Sequence, residues 1–82
     1  MTKKNKLVER LKRKPRDFEW KEAKTLLEGL GFIEKQGEGS RVKFYHEGLN
    51  HVIFLHAPHP SKIMKLYAVK QLLDDLINKE LI

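Results

Sequence analysis

Residues 32–55 read FIEKQGEGSRVKFYHEGLNHVIFL, and the way their apolar positions alternate decides the fold. After Gly31 the apolar period falls to two. Phe32 to Gln36 predicts a strand, Gly37-Glu38-Gly39 a turn, and Ser40 to His46 a second strand with Val42 and Phe44 on one face and Arg41, Lys43 and Tyr45 on the other. Glu47-Gly48-Leu49-Asn50 closes a hairpin into a third strand, His51 to Leu55, whose greater apolarity predicts the more central place in the sheet. An antiparallel meander follows. The segment His56-Ala57-Pro58-His59-Pro60 leaves the sheet as a loop, because proline donates no ladder hydrogen bond.

Outward from the meander the period is helical. Ala23, Leu26, Leu27 and Leu30 recur at i, i+3, i+4 and i+7, and Gly31 supplies the left-handed residue that stops this helix. Two readings fit its start: Asp17 as the cap, or Phe18-Glu19-Trp20 as an extended segment whose aromatics anchor the core. Val69, Leu72, Leu73 and Leu76 repeat the pattern in a closing helix over about 66–79, after a turn that Ser61 caps. At the N-terminus Leu7, Val8 and Leu11 form a narrow stripe, a short helix over about 4–14 that Pro15 ends by pushing Lys14 out of the helical region. The order α, α, β, β, β, α describes an α+β two-layer domain: a three-stranded antiparallel sheet with flanking helices and one face left open.

The chain has 82 residues and no cysteine, which excludes a second domain, a disulfide framework, thiolate catalysis and cysteine zinc sites. No run approaches the roughly 20 apolar residues of a membrane span, and the N-terminus lacks the apolar stretch of a signal peptide, so a soluble, cytoplasmic protein with no membrane partner is expected. The net charge of +6 is uneven: residues 1–20 hold eight Lys/Arg against three acids, and the remaining 62 residues hold nine against eight. Residues 1–16 thus read as a basic helical extension to a domain of residues 17–82. Three uses fit that basic block: neutralising phosphates, docking an acidic protein, or forming a solvated helix face.

From Trp20 onward the chain resembles the HicA family of bacterial toxin–antitoxin systems, small RNA-cleaving toxins with a fold like the double-stranded-RNA-binding domain. The resemblance is carried by Leu30-Gly31-Phe32 at the end of a helix, by Gly39-Ser40 before a strand containing Phe44, by a strand running into Pro58-His59-Pro60, and by the closing helix through Val69, Leu72 and Leu73. The basic helix with Pro15 and Phe18-Glu19-Trp20 is similar to the extension found in one branch of that family. The resemblance implies a toxin that binds mRNA and cleaves it as an endoribonuclease without a metal or other cofactor, held in check by a HicB-like antitoxin. In most of the family the glycine and serine of this turn are followed by a histidine that carries cleavage, and often by a second. Here Arg41 and Val42 stand at those positions.

Metal-free RNA cleavage needs a base for the ribose 2′-hydroxyl, an acid for the leaving oxygen and positive charge on the phosphate, and histidine suits the first two because it titrates near neutrality. His59 and His56 bracket Ala57-Pro58 where the third strand leaves the sheet, which makes them the candidate catalytic pair. His46 and His51 flank the four-residue hairpin and read as a cross-strand pair. Arg41 is permanently protonated and cannot be the base, but its planar fork suits a phosphate; an exposed ion pair with Glu34 or Glu38 is the alternative. Lys43 and Tyr45 share the face of Arg41, Ser40 belongs to the turn, and Lys62 and Lys65 stand near the last helix, completing the candidate RNA-binding set. A solvated helix edge accounts equally well for the two lysines. Trp20, Phe18, Tyr45 and Tyr67 are the rings able to stack on bases, and a core this small claims Trp20 and Phe18 first. The pair His56/His59 alone lacks the further ligands a zinc site requires, so no metal is expected. The competing reading is a non-catalytic RNA- or protein-binding module on the same fold; a DNA reader would need a helix-turn-helix spacing that the chain lacks.

Overall fold

Pro15 stops the first helix early. Helix α1 spans Lys3–Lys12, ends two residues short of the expected 14, and leaves Lys14 at φ 53 with its N–H returning 2.9 Å to the Leu11 carbonyl. The computed structural model describes residues 3–37, 39, 41–58 and 61–82, so Glu38, Ser40, His59 and Pro60 lie outside the described residues. The other elements are α2 (Trp20–Gly29), β1 (Ile33–Gln36), β2 (Arg41–His46), β3 (His51–His56) and α3 (Leu66–Asn78). This is the expected α-α-β-β-β-α order. Among the described residues no helix is long and apolar enough to cross a membrane.

The start of α2 resolves the choice left open by the sequence. Glu19, not Asp17, is the N-cap residue, at φ −85 and ψ 151, and its N–H donates to Glu22 Oε1 at 2.9 Å. Asp17 is too far upstream because Phe18 and Glu19 run extended against residues 62–64 and Trp20 is already the first helical residue. Trp20 N–H donates to the Lys62 carbonyl at 2.9 Å, Met64 N–H donates to the Phe18 carbonyl at 2.8 Å, and Glu19 bridges to Ile63. These bonds tie the entrance of α2 to the entrance of α3. At the other end of α2, Gly31 takes φ +102 and Phe32 N–H reaches back 2.9 Å to the Leu27 carbonyl, which turns the chain into the sheet.

Both hairpins are antiparallel and the strand order is β1-β2-β3. β3 is therefore an edge strand and β2 the central one, which corrects the expectation drawn from β3's apolarity. Short hairpins force the strand that is middle in sequence to be middle in space. The apolar excess of β3 is split instead: Ile53 and Leu55 enter the core, and Phe54 stays 60% exposed on the opposite face.

The core lies between the helices and one sheet face. Phe18, Phe44, Leu26, Leu27, Val69, Leu72 and Leu76 are fully buried there, and Trp20 meets Phe44 edge-on at 6.0 Å. Leu7 and Leu11 of α1 belong to the same cluster. Arg10 fixes α1 in place: its Nε donates to Glu22 Oε2 at 2.7 Å, its Nη2 donates to the Asp17 carbonyl at 3.0 Å, and its guanidinium lies 5.8 Å from the Phe18 ring centroid. Burial alone would push the Glu22 carboxyl up, but the hydrogen bonds from Arg10 and from the Glu19 N–H outweigh it and hold the group below the ordinary carboxylate range.

Two outcomes test this account of α1. Leu11→Ala should cost about 2–4 kcal/mol in urea unfolding, the scale for a fully buried leucine. A carboxyl with a depressed folded pKa stabilises the fold above its unfolded value and loses that contribution as pH falls through the folded one. Stability should therefore decline as pH drops below about 4.3, the unperturbed glutamate value, and that component should vanish in Glu22→Gln.

Candidate nucleic-acid interface

Strand β2 presents Arg41, Lys43 and Tyr45 away from the core, and its register with the neighbouring strands builds the rest of that face. Ile33 and Lys35 of β1 lie opposite Tyr45 and Lys43, and Val52, Phe54 and His56 of β3 lie opposite Tyr45, Lys43 and Arg41. Every charged residue among these sheet positions is basic. Basic and aromatic groups interleave across the face: the Arg41 guanidinium carbon is 5.9 Å from the Phe54 ring centroid, and Lys35 Nζ is 5.8 Å from that of Tyr45. The Tyr45 hydroxyl donates to Asn50 Oδ1 at 3.3 Å across the hairpin.

Glu34 is not a partner of Arg41. It points to the helical side, where its carboxylate meets Lys24 Nζ of α2 at 3.1 Å, because residues 33 and 35 take the outer face and 34 the inner one. Glu38 lies outside the described residues.

At the outer edge of β3 the sheet meets the start of α3 in a groove of about 570 Å³, lined by Phe54, His56, Ser61, Lys65 and Tyr67 among others. Ser61 Oγ accepts the Ile63 N–H at 3.0 Å, the expected turn cap, and sets the wall of this groove. Lys65 is the N-cap residue of α3 and makes no side-chain capping bond among the described residues, so the positive end of the helix dipole and an exposed ammonium adjoin the groove. Lys62 is exposed and 3.9 Å from Glu19 Oε1.

The structure thus brings Arg41, Lys43, Tyr45 and His56 onto one face and places His56 and Lys65 on one groove. Ser40 and His59, the other two candidates beside Lys62, lie outside the described residues. His46 and His51 face each other across the β2–β3 hairpin on the core side. His46 Nδ1 accepts the Leu49 N–H at 3.1 Å, His51 Nε2 shares its proton between both Asp75 oxygens at 3.1 Å, and Phe32 packs edge-on against both rings. These contacts give the two histidines structural work. Among the described residues no group of three His, Cys, Asp or Glu side chains is placed to hold a metal ion. Phe54 and Lys35 were missed by the sequence reading, although continuing the strand alternation with the hairpin register finds both.

A family model described as HicA toxin of bacterial toxin-antitoxin matches residues 20–76. The chain belongs to the HicA toxin family. It is the toxin of a toxin–antitoxin system. The match begins at the first residue of α2 and ends within α3, so the basic helix α1 precedes the matched span. Comparison with curated proteins and with solved structures gave no match.

Side chains that stay outside the core should be cheap to alter, and Arg41 is exposed while Lys43 is only half-buried. Arg41→Ala and Lys43→Ala should each change unfolding free energy by no more than about 0.5 kcal/mol. Gly31→Ala should cost about 1–2 kcal/mol, because φ +102 disfavours a side chain and the new Cβ would stand 3.0 Å from His46 Nε2. Thermal unfolding of the three variants checks the contrast.

Proposed function

We propose that this HicA toxin binds mRNA in the cytoplasm across the outer sheet face and cleaves it in a metal-independent reaction, and that a HicB-like antitoxin silences it by covering the same face. The observation that carries the reading is the cluster at the β2–β3 end, where Arg41 lies over Phe54 and opposite His56 on a face whose charged residues are all basic.

Each group has a part in the chemistry. Arg41 grips the scissile phosphate through two parallel hydrogen bonds and stabilises the charge that grows on its oxygens. Of His56 and His59, one takes the proton of the 2′-hydroxyl as that oxygen bonds to phosphorus, and the other protonates the 5′-oxygen as its bond to phosphorus breaks. The products are a 2′,3′-cyclic phosphate and a free 5′-hydroxyl, and no net proton is consumed. Lys43, Lys62, Lys65 and Ser40 hold neighbouring phosphates, and Tyr45 offers a ring to a base. The second reading, an RNA- or protein-binding module without chemistry, is favoured by one fact: Arg41 holds its charge at every physiological pH where most of the family carries a histidine that titrates.

Three measurements decide between them. Induction in a bacterial host should arrest growth, and co-expression of the antitoxin should restore it. In a cleavage assay containing EDTA, His59→Ala and His56→Ala should each slow the reaction by roughly 10²–10⁴-fold without loss of fold, and Arg41→Ala should chiefly weaken RNA binding. Affinity for single-stranded RNA should fall with a log–log salt slope of about −0.7 per phosphate contacted. Full cleavage by His59→Ala would remove the histidine assignment, and a wild-type protein that binds RNA with the expected salt slope but never cleaves it would establish the second reading.

A further inference from the structure

The proposed phosphate grip on the outer sheet face uses Phe54 only as a support for Arg41 and gives Tyr67 no part. Phe54 and Tyr67 are 60% and 57% exposed, and both line the groove between β3 and the first turns of α3. Neither contributes to the buried core. The groove's volume of about 570 Å³ falls within the range of sites for small organic groups, about 300–1,000 Å³.

We infer that this groove seats one unstacked nucleobase of a single-stranded RNA, with Tyr67 as the stacking platform and Phe54 at the mouth, and that it selects where along the strand the toxin engages. The inference rests on the RNA reading above and extends it from phosphate binding to base selection. Charge favours this occupant: none of the residues that line the groove is acidic, Lys65 stands on its helical wall, and His56 on its strand wall. Arg41 lies over Phe54, so a phosphate held by Arg41 and His56 leaves its attached base beside the groove mouth. Buried Leu55 and Met64 supply an apolar floor against which a ring loses little by leaving water.

The polar atoms on the rim suit a base edge rather than a second hydrophobic side chain. The Ser61 hydroxyl accepts from the Ile63 N–H and so offers its own proton outward, and the Gln71 amide brings one donor group and one acceptor group. Watson–Crick edges carry matching donors and acceptors. A base inside a duplex has both faces stacked and both edges occupied or grooved, so only an unpaired nucleotide enters. The nearest rival occupant is an extended protein segment adding to β3, which pairs only with β2 among the described residues.

The test compares full-length wild type, Tyr67→Ala and Tyr67→Phe for binding to a single-stranded RNA decamer and to an abasic ribose-phosphate chain of the same length. The side chain of Tyr67 is exposed, so the variants should fold as wild type does. Tyr67→Ala should bind the decamer about 5- to 150-fold more weakly, the scale of one lost base stack, and Tyr67→Phe should restore it. All three proteins should bind the abasic chain equally and with the same salt slope, because the phosphate contacts are untouched. Wild-type binding with the expected salt slope but no loss in Tyr67→Ala would overturn the groove inference and leave the RNA reading standing. No wild-type binding to either chain would overturn both. Unchanged RNA affinity with lost antitoxin binding in Tyr67→Ala would assign the groove to a protein strand and overturn the inference.

Discussion

Two backbone hydrogen bonds, from Trp20 N–H to Lys62 and from Met64 N–H to Phe18, hold the architecture in register. They join two segments far apart in sequence, one opening α2 and the other opening α3, and they do so beside the fully buried Phe18. Without that clasp α3 would be free to slide along the inner sheet face, since leucines spaced by turns of helix tolerate more than one seating. With it, Lys65 and Tyr67 are fixed next to the edge of β3. The groove on that edge is therefore a product of the clasp more than of any residue in its walls.

Period-two alternation was readable because one face of β2 is dry and the other wet. Shifting Val42 and Phe44 by one position would put Arg41, Lys43 and Tyr45 into the core, and no pairing energy offsets that. The helices were legible for the same reason, through leucines at i, i+3, i+4 and i+7. Composition misled where topology ruled: β3 is the most apolar strand and still an edge, because connection length, not hydrophobicity, orders a meander. The Glu19 cap was hidden because its choice depends on residues 62–64, more than forty positions away. The Lys24–Glu34 pair was equally silent, being made by the packing of α2 over β1. In the candidate site, Arg41, Lys43 and Tyr45 shared a face as the alternation required; His56, expected in the loop, is instead the last residue of β3, paired opposite Arg41, and the groove joining it to Lys65 has no local signature, since it exists only where two elements cross.

An arginine, not a histidine, stands at the head of β2, and this sets the division of labour in the proposed chemistry. Arg41 is permanently charged and cannot exchange a proton near neutrality, so under the proposed cleavage the proton transfers would belong to His56 and His59. His46 and His51 are no substitutes. One accepts from the Leu49 amide and the other is engaged by Asp75, and both rings are packed against Phe32 on the inner side of the sheet, away from the basic face.

Leu7 and Leu11 share a single core with Leu72 and Leu76, so α1, which meets α2 early, completes its packing only when α3 is in place. While the chain is still tethered to the ribosome, α1 is a basic amphipathic segment with an unfilled apolar stripe, and Arg10 waits only for Glu22, which emerges soon after. The sheet closes next, but its inner face stays wet until α3 has cleared the exit tunnel. Vectorial synthesis thus delays the complete fold, and with it the groove at β3, to nearly the end of translation of this span.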